Sequence, residues 1–322
     1  MAWFVSPQRL KALGVLAMNR RNIDYIFRYN PRSKYPLVDD KLKTKQLVEA
    51  AGLATPSLIG VVRYYHQVGK ILDLLQDKTE FAIKPAKGSA GNGILLIKGR
   101  KGNAFVRTNG KRVEIDYLRR HVSNILSGLH SLGGQQDCAM IESLVHFDPR
   151  FAGLAAHGVP DLRVIVFRGY PVMAMLRIPT LASDGKANLH QGAVGVGLDM
   201  ATGCGLVGVQ YDRVLQEHPD LALKFSDIKL DGWGGLLELA ARAYDVTGLG
   251  YLGVDLVLDE HYGPQILELN ARPGLAIQLA NHCGLLNRLK RIENLRSFEK
   301  DIEPRVASAR EWFGGSGVFP AD

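Results

Sequence analysis

The sequence predicts an α+β fold with mixed sheets, built from hairpins rather than from a regular parallel βαβ array. Three observations predict it. Strand-like segments come in adjacent pairs around tight connections, at Asn109-Gly110, at Gly169 and across residues 259–264. Single helical patterns, at 115–129 and 233–246, separate those pairs. The 322 residues give room for one large domain or two to three lobes.

Taken in order, residues 7–27 carry apolar side chains at Leu10, Leu13, Leu16, Ile23 and Ile26, with a polar break at 19–22, which predicts two short helices. Asp39 and Asp40 then stand before KLKTKQLVEAAG as helix-starting residues, and Gly52 stops that helix. A short strand is expected over 56–61 and a helix over 64–75. Strands follow at 81–84 and 94–97, joined by a glycine loop, and a hairpin at 104–108 and 111–114. Residues 138–142 read as a strand and 146–160 as a loop. Another hairpin occupies 162–167 and 171–177; a long loop then leads to a glycine-spaced strand at 192–197. After the 233–246 helix come two last strands, 254–258 and 265–269, and a charged helical tail over 284–312.

Composition is that of an ordinary globular chain, 46% hydrophobic and 22% charged. No run reaches the roughly 18 apolar residues that span a bilayer, and the start lacks the apolar core of a signal peptide. Cys138, Cys204 and Cys283 are far apart and odd in number, which predicts reduced thiols and a cytoplasmic setting rather than a disulfide framework or zinc site. The net charge is +8, and residues 1–35 hold +6 of it, seven cations against Asp24 alone. The nearly neutral remainder argues against a nucleic-acid groove. The basic segment is expected to be a solvated helix face or to meet a membrane surface or an acidic protein partner.

The stretch most suggestive of chemistry is GVDLVLDEHYGPQILELNARPG, residues 253–274. Pairing its strands with Leu258 opposite Gln265 sets Asp255 opposite Glu268, with Asn270 on the same face. Directly opposed carboxylates repel, so a cation is expected between them, and three hard oxygen donors suit Mg2+. The competing reading is a surface hairpin with solvated acids. Lys84-Pro-Ala-Lys87-Gly88-Ser89-Ala90-Gly91-Asn92-Gly93 forms a strand and a glycine loop whose amides and lysine suit phosphate oxygens. It is not a Walker A sequence, and although FAIK resembles the VAIK strand of protein kinases, HRD and DFG are missing. Lysines 41, 43 and 45 at a helix start sit badly with its dipole unless an anion joins them. Asp161-Leu162-Arg163 and Arg177 are expected on one hairpin face, and Asn188, His190 and Gln191 precede the glycine strand; these suit a second anionic group.

The order of these pieces resembles the ATP-grasp superfamily over residues 38–282. DKLKTK, KPAKGSAGNG and D…ELNARPG are similar to segments of D-alanine–D-alanine ligase. DLRVIVF, MLRIP and NLHQGA are closer to ribosomal-protein glutamate ligases, so that the chain resembles an alpha-L-glutamate ligase-like protein. The resemblance implies two α+β lobes clamping ATP. It implies a small lobe over 39–145 and a large lobe over 146–283, between a basic helical segment, 1–38, and a helical tail, 284–322. It places Lys41 and Lys84 on phosphates, with Gly88, Ser89, Gly91 and Gly93 closing over them. Glu142, Ser143 and Val145 would border the adenine, partly through backbone groups. Asp255, Glu268 and Asn270 would hold Mg2+, Arg177 and Arg272 would sit by the γ-phosphate and acyl group, and Asn188 would complete the shell.

The activity so implied joins a small-molecule or peptide carboxylate to an amine through an acyl phosphate, with glutamate one candidate addition. A phosphotransferase acting on a hydroxyl uses the same parts. A nucleotide-binding partner protein of cell-surface polysaccharide synthesis is the third expectation. The sequence departs from the family in two places. A Rossmann-like lobe of about a hundred residues usually precedes the helix that Asp39 opens, but here 38 residues do. The 146–160 loop is also unusual, and is expected to cover the nucleotide or touch a partner.

Overall fold

The computed structural model describes residues 6–88, 91–154, 158–211 and 213–315. Among these, two antiparallel sheets organise the chain. The smaller is built from β1 (Leu58–Val62), β2 (Phe81–Pro85), β3 (Leu95–Lys101), β4 (Ala104–Arg107), β5 (Arg112–Val113) and β6 (Ala139–Glu142), in the order β1-β6-β2-β3-β4-β5. The larger is built from β7 (Asp161–Phe167), β8 (Tyr170–Ile178), β9 (Val194–Leu198), β10 (Gly205–Gln210), β11 (Arg213–Leu215), β12 (Tyr251–Asp259) and β13 (Gly263–Asn270), in the order β11-β10-β9-β8-β7-β12-β13. Hairpins with single intervening helices make this an α+β architecture, as the sequence predicts.

Each sheet buries one face of an amphipathic helix. Helix Ile115–Leu126 presents Leu118, Val122 and Ile125 to Phe81, Ile83 and Phe105 of the smaller sheet. Helix Trp233–Thr247 presents Leu236, Leu237, Ala240 and Ala241 to the larger core. Gly248, at φ 63°, ends that helix in the left-handed region that suits glycine. Gly197 of β9 lets the Ile277–Ala280 turn press onto the sheet, since a Cβ there would lie 2.1 Å from the Ala280 carbonyl.

The amino-terminal segment joins the larger core through Leu16, Tyr25 and Ile26. Asn30 ties it to the sheet, donating from Nδ2 to the Tyr251 and Ala271 carbonyls at 2.6 and 3.1 Å and accepting from the Tyr251 amide. The break predicted at 19–22 is not there. Helix runs from Met18 through a π-helical stretch, Arg21–Phe27, and the break falls earlier, at Gly14 with φ 69°. Strands β10 and β11 lie where no strand was predicted, because Gly205 and Gly208 leave GLVGVQ with little side-chain pattern. The tail forms two helices, Leu285–Glu293 and Ile302–Phe313. The three cysteines are free thiols and half-buried. Among the described residues no helix is long and apolar enough to cross a membrane.

Candidate active site

The β12–β13 hairpin does not keep one register. Asp255 faces Glu268 as predicted, but Leu258 faces Pro264, not Gln265. A bulge beside Asp255 absorbs Leu267 and slips the pairing by one towards the turn. Residues 253–255 therefore keep the expected partners although the turn does not.

The opposed carboxylates are each served by cations of the chain. Asp255, 2% exposed, accepts from Arg163 Nε and Nη2 at 2.6 and 2.5 Å and from Arg177 Nη2 at 2.8 Å. Asn270 donates to it weakly, at 3.4 Å, leaving the amide oxygen to serve a cation. Arg177 also forks onto Asp161, its partner across β7 and β8. Arg163 and Arg177 thus share a face, as the hairpin pattern predicts. Glu268 is half-buried and reaches Lys41 Nζ at 2.9 Å. The cations that two opposed acids call for are here guanidinium and ammonium groups of the chain itself.

Burial raises the Asp255 carboxyl, but Arg163 and Arg177 outweigh it and hold the group down to about 2. Burial pushes Asp161 up to about 6 against the pull of Arg177, with the Asp255 charge adding to the rise. The Arg177 guanidinium loses some basicity to burial and regains more from Asp161 and Asp255, so it stays charged. The folded Asp161 therefore binds its proton more tightly than the unfolded one, near 4. Its contribution to stability is full below about pH 4 and is lost as pH rises to about 6. Asp255, held at about 2 when folded, adds a slope of the opposite sign near pH 4, where the unfolded group is still losing its proton, and comparison with Asp161→Asn, which keeps Asp255, offsets it. Across that window wild-type stability should fall relative to Asp161→Asn by up to about 3 kcal/mol. Urea unfolding at the two ends of the window checks this; parallel curves would refute it.

On the smaller sheet, Asp40 caps helix Lys41–Ala50 by accepting from the Leu42 and Lys43 amides at 3.0 and 3.2 Å. Lys41 and Lys45, one helical turn apart, then point the same way. Lys41 Nζ donates to the Gly88 carbonyl at 2.6 Å as well as meeting Glu268, so it joins the base of the glycine loop to the late hairpin. Glu142 sits between Lys84, at very short range, and Lys45, whose Nζ is 3.0 Å away. Glu142 and Lys45 are 2 and 3% exposed, and burial lowers the Lys45 ammonium below its usual range. Lys41, Lys45, Lys84, Glu142 and Glu268 line one small cavity. The sequence reads Lys45 only as one of three lysines at a helix start; its spacing of four from Lys41 is what sets the two on one face.

The other expected site residues are placed less centrally. Gly91 and Gly93 adopt φ 73° and 75° in the turn, and the Gly93 carbonyl meets His121 Nε2 at 3.0 Å. Ser89 lies outside the described residues. Ser143 clasps Ser57, its amide donating to the Ser57 carbonyl and its hydroxyl accepting from the Ser57 amide, both at 2.9 Å. Val145 is half-buried beyond it. Asn188 caps its own turn, accepting from the His190 amide at 3.0 Å. Arg272 is exposed, 3.4 Å from Asp39 and stacked over Tyr35.

Among the described residues no cluster of three His, Cys, Asp or Glu is gathered as a metal site. Of the three oxygen donors expected for Mg2+, the Glu268 carboxylate and the Asn270 amide keep free oxygens and fit the ion, while Asp255 is already neutralised by two guanidiniums. The lysines at 41 and 84 and the glycine loop fit a phosphate chain.

The family model for sugar-transfer associated ATP-grasp proteins matches residues 20–294. The chain belongs to this ATP-grasp family. It is similar to a probable alpha-L-glutamate ligase of Maridesulfovibrio salexigens, 23% identical over 73% of this chain and 56% of that protein. It is also similar to a probable alpha-L-glutamate ligase of Alcanivorax borkumensis, 23% identical over 82% of this chain and 64% of that protein. The chain thus spans under two thirds of these relatives. Among solved structures, D-alanine–D-alanine ligase from Bacillus anthracis aligns over 87% of this chain and 70% of its own, with a TM-score of 0.46 and 12% identity. The ATP-grasp ligase PsnB complexed with minimal precursor aligns over 87% and 63%, with a TM-score of 0.43 and 14% identity.

Proposed function

We propose that this ATP-grasp protein is an ATP- and Mg2+-dependent carboxylate–amine ligase that frees ADP and phosphate. The observation that carries the reading is Lys41, whose ammonium bridges the glycine-loop carbonyl of Gly88 and the hairpin carboxylate of Glu268. The phosphate-type and metal-type residues therefore converge on one place from opposite ends of the chain. Similarity to the two probable glutamate ligases supports the reaction class.

ATP, as substrate, supplies the γ-phosphoryl group, and Mg2+ neutralises charge on its phosphate oxygens. A carboxylate oxygen of the donor attacks γ-phosphorus, the bond to ADP breaks, and an acyl phosphate results. The amine nitrogen of the acceptor then attacks the acyl carbon, phosphate leaves, and the nitrogen gives up a proton. The chain's part is positioning and charge neutralisation. Lys41 and Lys84 meet the phosphates, and Glu268 and Asn270 offer oxygens to the metal. Asp161 and Asp255 fix Arg177 in orientation next to them. No side-chain nucleophile is needed.

Glu268→Ala is expected to lower Mg2+-dependent phosphate release by a hundredfold or more, on the order of 3 kcal/mol of lost transition-state stabilisation. Turnover that survives and still needs Mg2+ would remove Glu268 from the metal set. Phosphate retained on the product, rather than freed, would favour a phosphotransferase.

A further inference from the structure

Beside the catalytic residues lies a second cleft, of about 720 Å3, which the mechanism above does not use. Its volume is within the range of small-molecule sites, roughly 300–1,000 Å3. Its walls come from both ends of the chain. Arg21 and Arg32 belong to the amino-terminal segment, Lys43 to the helix after Asp40, Lys87 to the glycine loop and Arg272 to the residues after β13. These last three stand within two residues of Lys41, Gly88 and Asn270, so the cleft abuts the proposed centre.

The cleft's charge is unbalanced. Five cations line it against Asp39 and Asp40. Asp40 accepts two helix amides on Oδ1 and Asp39 meets Arg272 at 3.4 Å, so the five cations still exceed the two carboxylates by three. Arg21 anchors itself on the Pro273 carbonyl at 2.7 Å, a contact that offsets no charge. It is part-buried, and Arg272 acts on it as a like charge. Two aromatic side chains complete the walls: the Arg32 guanidinium stacks 4.9 Å from the Phe27 ring, and Arg272 lies 5.5 Å from that of Tyr35. Stacked guanidiniums keep their edges open to carboxylate or phosphate oxygens.

We propose that this cleft binds a small substrate carrying two negative charges on an apolar or ring-shaped body, with the charges on the cations and the body against Phe27 and Tyr35. Only its identity as a substrate rests on the ligase reading; its binding does not. Dicarboxylates and sugar phosphates share the required chemistry, and the experiment separates them. Glutarate and glucose 6-phosphate are titrated calorimetrically into the full chain, each beside its neutral counterpart, glutaramide or glucose. At least one anion should bind saturably below about 10 mM, its neutral counterpart should not, and added salt should weaken it. The double substitution Arg32→Glu, Lys43→Glu should weaken that anion at least tenfold, while Mg·AMPPNP, a non-hydrolysable ATP analogue, binds as to wild type. Glutarate alone assigns the cleft to a carboxylic acid, glucose 6-phosphate alone to a phosphorylated sugar, and both to the charge itself. No saturable anion, an equally bound neutral compound, an indifferent double variant or one-for-one displacement by Mg·AMPPNP would overturn the proposal. Failure of Mg·AMPPNP to bind at all, with the anion still bound, would instead defeat the ligase reading and leave the cleft assignment intact.

Discussion

Asp255→Ala is expected to destabilise the folded chain by about 3–5 kcal/mol, the cost of removing one partner from a buried ion pair. The reason is the company this carboxylate keeps. It accepts three hydrogen bonds from two guanidiniums, and Arg163 sits opposite it across β7 and β12 with both its Nε and Nη2 bonds on Asp255. Arg177 would retain Asp161, so the loss falls chiefly on Arg163. The carboxyl stays ionised down to about pH 2, so the cost should be present throughout the neutral range. Glu268, half-buried and paired with Lys41 alone among the described residues, should cost no more than about 1 kcal/mol when replaced by alanine. Urea unfolding in metal-free buffer tests both. If Asp255→Ala were instead more stable than wild type, repulsion between the opposed carboxylates would outweigh the arginine pairs, and Asp255 would exist for a metal alone.

That contrast bears on how far the sequence could be read. The hairpin itself was legible, because turn residues at 259–264 separate two strand-like runs, and Asp255 does face Glu268. A uniform register gives that pair but misplaces the turn, because the bulge that takes up Leu267 leaves no mark in apolar alternation. The order of lysine strand, glycine loop and acidic hairpin was legible because each depends on a few residues close in the chain. What balances those residues was not. Arg163, Arg177 and Lys45 lie 92, 78 and 97 positions from the carboxylates they meet, distances at which local pattern carries no information. Burial of Lys45 is likewise a property of the assembled core, since an isolated KLKTK would read as a solvated face. The cleft by Arg32 and Arg272 depends on the first and last parts of the chain meeting, and no single segment announces it.

The Lys45–Glu142–Lys84 group gives the second large effect, and charge counting predicts an asymmetry within it. One carboxylate stands between two buried ammonium groups, so the group carries a net +1. Glu142→Gln leaves both cations without a counterion and should cost about 3–5 kcal/mol at neutral pH. Lys45 offers an escape. Its ammonium is already lowered by burial, so the variant should shed that proton as pH rises. Below the unfolded lysine value of about 10.4 the unfolded chain then binds more protons than the folded one, and stability climbs with pH. The Glu142→Gln penalty should therefore shrink between about pH 7 and 10. Lys84→Met has the opposite character. It leaves Lys45 and Glu142 as a balanced pair and replaces a buried charge by a side chain of similar length. Its cost in stability should stay within about 1 kcal/mol, while on the proposed reading, in which Lys84 meets a phosphate oxygen, Mg2+-dependent phosphate release should fall by about a hundredfold or more. Unfolding curves at the two pH values, with phosphate release on the same preparations, decide the matter. If Lys84→Met proved as destabilising as Glu142→Gln, Lys84 would be a structural counterion of Glu142. The excess positive charge, and with it the reason for an anionic ligand at this point, would then have to come from Lys41 alone.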